Sequence, residues 1–74
     1  MSNWTADYLV TGMTCGHCVA SVTEELQALA GVETVSVALN AGGPSTVTVS
    51  AAAPVDDGAV RAAIDEAGYT LVAQ

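Results

Sequence analysis

Polar and hydrophobic residues alternate along several stretches of this chain. Alternation predicts strands buried on one face, because successive side chains of a strand point to opposite sides. The predicted strands cover residues 6–11, 32–40, 46–50 and 69–73. The inward-facing positions in the first three are Tyr8, Val10, Val35, Val37, Leu39, Val47 and Val49. The second and third strands flank a turn cluster at residues 41–45, which predicts a hairpin.

Two other stretches have the period of a helix. The first covers residues 16–30, with Val19, Val22, Leu26 and Leu29 on one face. Gly31 is suited to end it, since glycine tolerates the left-handed conformation there. The second follows Asp56, a predicted N-cap, and ends at Gly68. Its apolar stripe consists of Val60, Ala63, Ile64 and Ala67.

The order strand, helix, strand, strand, helix, strand predicts an α+β fold of the ferredoxin-like type. In that βαββαβ arrangement, a four-stranded antiparallel sheet carries two helices on one face. A chain of 74 residues has room for one domain, which we expect to span residues 1–74.

The charge balance is strongly acidic. Eight Asp and Glu residues face one base, Arg61, for a net charge of -7. Nucleic acids and anionic membranes attract proteins rich in Lys and Arg, so we expect neither to bind this acidic chain directly. The first residues have no basic region or long apolar run, which argues against a signal peptide and favours a cytoplasmic protein. Thiols stay reduced there, so a lone pair of cysteines is more often catalytic or metal-binding than structural.

The chemistry of the chain is concentrated in GMTCGHC, residues 12–18, which holds both cysteines and the only histidine. Cys15 and Cys18 lie where the first strand ends and the first helix begins. The unpaired N–H groups and the dipole at a helix start favour thiolates, which lowers the pKa of cysteine. A lowered pKa serves a redox nucleophile and a metal ligand equally, so this motif leaves both functions open.

The ligand count favours a soft ion. A structural zinc site needs four ligands, and two thiolates do not complete one, whereas Cu(I) selects soft sulfur. His17, between the cysteines, is expected to point away from an ion held by both sulfurs. Met13 is expected to be a core residue that anchors the loop. Thr14 is placed to hydrogen-bond within the loop, and Tyr69 is a candidate to pack near it.

With this element order, the motif resembles the heavy-metal-associated domain family. That family comprises small bacterial copper chaperones and the metal-binding domains of copper-exporting P-type ATPases. The resemblance runs from Tyr8 to Val72 and includes a helix register and a late Gly-Tyr. The matching residues are Val22, Leu26, Leu29, Gly31, Val32, Gly68 and Tyr69.

The resemblance implies a carrier rather than an enzyme. It implies one Cu(I) per chain, bound by Cys15 and Cys18 and passed to a copper-transporting P-type ATPase domain by thiolate exchange. It also implies that His17 and Tyr69 lie close to the metal loop and affect binding or self-association. Met13 and Thr14, next to the cysteines in sequence, are expected to be modulating residues as well. The apo protein is expected to be a monomer, with a metal-bridged homodimer as a possible loaded form.

This chain departs from the family pattern in one respect. Several relatives carry lysines near the metal loop that dock onto acidic partners, and this chain has no lysine. Related soft or heavy metals such as Hg, Ag and Zn remain alternative cargoes. A metal-sensing domain is another alternative. A thiol-disulfide oxidoreductase is a further one, although Thr14 stands where such enzymes usually carry an aromatic residue.

Overall fold

The computed structural model describes residues 3–14, 16–40 and 42–73. In this part of the chain, four strands and two helices follow in the predicted order. They are β1 Trp4–Thr11, α1 Gly16–Gln27, β2 Val32–Ala38, β3 Ser45–Ala51, α2 Asp57–Glu66 and β4 Thr70–Ala73.

The strands form one antiparallel sheet with the spatial order β2-β3-β1-β4. β2 and β3 pair as the predicted hairpin, with Val35 opposite Val49 and Val37 opposite Val47. β1 lies at the centre between β3 and β4, and the two helices pack against each other on one face of the sheet. The predicted ferredoxin-like fold is confirmed.

The core lies between the sheet and the helices. Tyr8 and Val10 of β1 and Val47 and Val49 of β3 are fully buried, as the alternation predicted. Val22 and Leu26 of α1 and Val60 and Ile64 of α2 close the core from the other side. The interior therefore consists mainly of branched aliphatic side chains that fit a pleated surface.

Two predicted boundaries differ from the structure. α1 ends at Gln27 rather than near Ala30, and the Leu29 N–H donates to the Leu26 carbonyl in a tighter turn. Gly31 does adopt a left-handed conformation, with φ of 87°, but it does so in the turn that leads into β2.

The prediction that Leu39 faces inward is wrong. β2 ends at Ala38, so Leu39 no longer follows the alternation of the strand and is 42% exposed. Val35 and Val37 are half-buried on the inner side of this edge strand. Leu39 instead opens the loop between β2 and β3.

The start of α2 agrees with the prediction. Asp56 has an extended backbone, and its carboxylate accepts a hydrogen bond from the Ala59 N–H at 3.1 Å. This bond satisfies one of the N–H groups that lack a partner at a helix start. Neither helix in the described residues is long and apolar enough to cross a membrane.

Candidate metal centre

The loop before α1, the hairpin loop and the start of β4 meet at one end of the sheet. The cysteine loop is defined here as residues 12–15, and the hairpin loop as residues 39–44. Val10 near the end of β1 pairs with Ser45 at the start of β3, and Thr11 pairs with Thr70. Antiparallel pairing therefore brings both loops and Tyr69 beside the first turn of α1.

Cys18 lies in the first turn of α1, on the side that faces the core. It shares this stripe with Val22 and Leu26, at successive steps of four residues. Its side chain is only 7% exposed. Its Sγ accepts a hydrogen bond from the Thr14 N–H at 3.4 Å, and the Thr14 hydroxyl lies 3.9 Å from the same sulfur. The Thr14 backbone therefore fixes the position of the Cys18 sulfur beneath the loop that precedes α1.

Cys15, the other predicted ligand, lies outside the described residues. His17 is exposed on α1, whereas the adjacent Cys18 is buried. Consecutive residues of a helix project about 100° apart, which accounts for this difference. The structure thus places the imidazole toward solvent and the Cys18 sulfur beneath the loop.

Met13 is a core residue, as predicted. Its side chain is 1% exposed and belongs to the cluster that contains Tyr8, Val10 and Leu71. A flexible thioether side chain fills irregular space well. Met13 therefore anchors the cysteine loop to the interior of the protein.

Tyr69 packs against the beginning of the same loop. Gly12 has φ of 92°, and a Cβ at this position would lie 3.4 Å from Cδ1 of Tyr69. The Tyr69 side chain is half-buried against the core. The backbone N–H of Tyr69 donates to the Ile64 carbonyl at 3.1 Å. A left-handed glycine lets the chain turn between β1 and the aromatic ring.

A groove that the sequence did not predict separates the cysteine loop from the hairpin loop. Its volume is about 230 Å³. The lining residues are Thr11, Gly12, Met13, Thr14, Gly42, Gly43 and Pro44. The hairpin loop is held by Ser45, whose buried hydroxyl accepts a hydrogen bond from the Asn40 N–H at 2.9 Å. Gly42 and Gly43 indicated a turn, but their position opposite residues 11–14 depends on the pairing of β1 with β3.

The groove beside the cysteine loop is lined by uncharged residues. None of the lining residues of the groove is ionisable, and Arg61 is exposed on α2. Among the residues that the structure describes, no three His, Cys, Asp or Glu side chains form a group that could hold a metal ion. Asp7, distant from the cysteines in sequence, accepts a hydrogen bond from the Thr48 hydroxyl at 2.7 Å on the open face of the sheet.

Comparisons with known proteins agree with this architecture. Residues 7–70 match the heavy-metal-associated domain. The chain is 38% identical over 65 residues to a COP-associated protein of Helicobacter felis, covering 88% of this chain and 94% of that protein.

Solved structures show the same likeness. A CopZ metallochaperone superposes with a TM-score of 0.78 at 30% identity, covering 93% of this chain and all of the other. Apo-CopP from Helicobacter pylori gives a TM-score of 0.72 at 28% identity, covering 93% of this chain and 100% of that chain. Since the family match extends over most of the chain and includes the segment 12–18 that contains both cysteines, this protein belongs to the heavy-metal-associated domain family.

Proposed function

We propose that this protein is a Cu(I) carrier that holds the ion between the thiolates of Cys15 and Cys18. The observation that carries the proposal is the position of the Cys18 sulfur, which lies at the start of α1 and accepts the Thr14 N–H. The relatives support copper as the cargo, since a COP-associated protein and a CopZ metallochaperone are among them. Soft thiolate ligands select Cu(I) over harder ions.

Two thiolates suit transport better than storage. An ion with only two protein ligands leaves room for an incoming thiolate from an acceptor. The acceptor can then bind the ion before the donor releases it, so the ion passes by ligand exchange and the chain acts without catalysing a reaction. A four-ligand structural site would resist this exchange.

The acceptor in this proposal is a metal-binding domain of a copper-transporting P-type ATPase in the cytoplasm. We expect this domain to approach over the cysteine loop, because the Cys18 sulfur lies directly beneath it. The absence of lysine from the chain implies that this approach depends on uncharged contacts or on bases supplied by the acceptor. The carrier is a monomer when empty in this scheme, and two loaded chains can share the ion.

The four residues around the ligands have separate parts in this proposal. Met13 anchors the loop in the core, and Tyr69 packs against its first residue. Thr14 holds the Cys18 sulfur in place, and the exposed His17 modulates access to the ion. None of the four is a direct ligand in this scheme.

An anaerobic competition titration tests the coordination. The reduced protein is titrated with Cu(I) in the presence of a chromogenic Cu(I) chelator, and a Zn(II) titration runs in parallel. We expect uptake of about one Cu(I) per chain and much weaker zinc binding. Cys15→Ser and Cys18→Ser should each abolish tight binding, whereas His17→Ala should only change the affinity.

Three outcomes would contradict the proposal. Failure to compete for Cu(I) would favour a redox function, and tighter binding of Zn(II) would assign a different cargo. If His17→Ala abolished binding as completely as Cys18→Ser, the two-thiolate scheme would be wrong.

The role of Thr14 has a test of its own. Thr14→Val removes the hydroxyl that lies 3.9 Å from Cys18 Sγ and keeps the shape of the side chain. We expect weaker Cu(I) binding, with recovery in Thr14→Ser. Thr11→Val is the matched control, because the Thr11 hydroxyl donates to the Thr70 carbonyl at 3.5 Å instead. Equal effects of the two valine variants would show that the Thr14 hydroxyl does not act on the sulfur.

A further inference from the structure

Ser45 places a hydroxyl in the hydrophobic core, at the end of the sheet that carries the cysteine loop. The other inner positions of β3 are Val47, Val49 and Ala51, all fully buried. Ser45 is the first inner residue of this strand and is 0% exposed, and no other serine or threonine in the described residues is buried. A hydroxyl in a core costs free energy unless it is hydrogen-bonded, so Ser45 at this position indicates a specific partner.

The partner of Ser45 lies in the hairpin loop. The Ser45 hydroxyl accepts the Asn40 N–H at 2.9 Å, and the Asn40 carbonyl accepts the Gly43 N–H at 3.2 Å. A Cβ on Gly43 would lie 3.3 Å from Asn40 Nδ2, so the glycine leaves room for this amide. Pro44 adds stiffness because its ring fixes φ. These contacts close the hairpin loop on itself and attach it to the buried first residue of β3.

The hairpin loop forms one wall of the groove beside the cysteine loop. Residues 42–44 line the groove opposite residues 11–14. Ser45 pairs with Val10 of β1, two residues before Gly12, so neighbouring residues of the sheet carry both walls. None of the lining residues is ionisable, so space and not charge decides what can enter the groove. A hairpin loop that left its position would be free to move into this space.

We propose that Ser45 is a positioning residue for the transfer of Cu(I). Its hydroxyl holds the hairpin loop away from the cysteine loop, so that the side of the cysteine loop that lines the groove stays open to the acceptor. This role rests on the proposed function, because an incoming thiolate needs an open approach to an ion held by two protein ligands. Ser45 acts through the hairpin loop and not on the ligands. It therefore affects the rate of transfer and leaves the affinity for Cu(I) unchanged.

Two variants of the full chain break the same hydrogen bond from opposite sides. Ser45→Ala removes the accepting hydroxyl, and Asn40→Pro removes the donating N–H. Ser50→Ala is the control for the first variant, since the Ser50 hydroxyl lies on the same strand but at an exposed contact, 3.3 Å from the Thr5 hydroxyl. Asn40→Ala is the control for the second, because it keeps the N–H. Urea denaturation identifies a temperature at which all the compared variants are folded.

Loop order, affinity and transfer are measured separately. In Ser45→Ala and Asn40→Pro, the Gly43 amide should exchange its hydrogen faster, because its bond to the Asn40 carbonyl closes the turn. Loss of one hydrogen bond to a buried group shifts a conformational equilibrium by about tenfold, so anaerobic transfer of Cu(I) to the ATPase domain should slow by up to about tenfold. The affinity from the competition titration should match that of the wild type. Exchange with a small dithiol, which needs less space than a protein domain, should change less than transfer to the domain.

The wild type separates failure of this role from failure of the proposed function. If the wild type does not bind Cu(I), the carrier function itself fails. If the wild type binds and delivers Cu(I) but Ser45→Ala and Asn40→Pro deliver it as fast as their controls, only the positioning role of Ser45 is wrong. An equal fall in affinity and transfer rate would also overturn it, because Ser45 would then support the metal site as a whole. Faster transfer would make the hairpin loop a barrier and would contradict the role as well. Should Ser45→Ala not fold, Asn40→Pro decides between these outcomes.

Discussion

Substitutions of Met13 show whether its side chain is a structural anchor or a metal ligand. Its side chain is 1% exposed, in contact with the core and one residue away from the groove-lining Thr14. Thioethers also bind Cu(I), so burial and ligation predict different effects for the same substitutions. Met13→Ala removes the volume and the sulfur, whereas Met13→Leu removes only the sulfur.

The expected magnitudes follow from this burial. Full burial of a methionine side chain contributes ~1.5–3 kcal/mol, and truncation to alanine in a core costs ~2–5 kcal/mol when a cavity remains. A domain of 74 residues has a free energy of unfolding of about 4–11 kcal/mol at ~0.05–0.15 kcal/mol per residue. Met13→Ala should therefore remove a large fraction of the stability. Met13→Leu nearly conserves volume and should cost less than ~1.5 kcal/mol.

Urea denaturation followed by circular dichroism and by fluorescence of Trp4, the only tryptophan, measures the stability of both variants. The Cu(I) competition titration then measures the affinity of Met13→Leu. We expect an affinity close to that of the wild type. If Met13→Leu lost Cu(I) binding to the extent of Cys18→Ser, the thioether would be a ligand. If Met13→Ala had the same midpoint urea concentration as the wild type, Met13 would not anchor the loop.

Three further predictions concern the scaffold. Asp56→Ala removes the hydrogen bond to the Ala59 N–H and should lower the free energy of unfolding by ~0.5–2 kcal/mol without changing Cu(I) affinity, as measured by urea denaturation and titration. Burial, and secondarily the carboxylate of Asp57, raises the pKa of Tyr8. The folded protein therefore keeps the phenol proton of Tyr8 to higher pH than the unfolded chain does. Stability should therefore fall as the pH rises above ~10, and Tyr8→Phe should flatten this dependence; equal slopes in both proteins would contradict it. Gly12→Ala should destabilise the protein because φ is 92°. Gly16→Ala lies in α1, and its new Cβ would have no atom of the described residues within 4 Å, so it should be neutral or stabilising; thermal unfolding compares the two.

The fold was predictable because local periodicity and turn chemistry agree along most of the chain. Tyr8 and Val10 are buried where the alternation placed them, and Asp56 caps α2 as its residue type predicted. Leu39 was mispredicted because alternation constrains a side chain only while the strand continues. β2 stops one residue earlier, and beyond its last ladder partner the backbone no longer directs the side chain inward.

The candidate site was only partly predictable. The motif indicated the cysteines with Met13 and Thr14 beside them, and the resemblance indicated His17 and Tyr69. Thr14 was expected to hydrogen-bond within the loop, but the sequence did not indicate that the Cys18 sulfur accepts its N–H. The groove depends on the pairing of β1 with β3, which brings together residues about thirty positions apart in the chain.

Delivery of the ion to an acceptor is the step that distinguishes a carrier from a storage site. The loaded protein is mixed without oxygen with the empty metal-binding domain of a copper-exporting ATPase, in the presence of a chelator that captures any Cu(I) released to solution. We expect the ATPase domain to receive Cu(I) faster than the chelator captures it from the carrier alone. Transfer that is no faster than release to the chelator would mean that the ion leaves by dissociation, and the protein would not be a carrier that delivers by thiolate exchange.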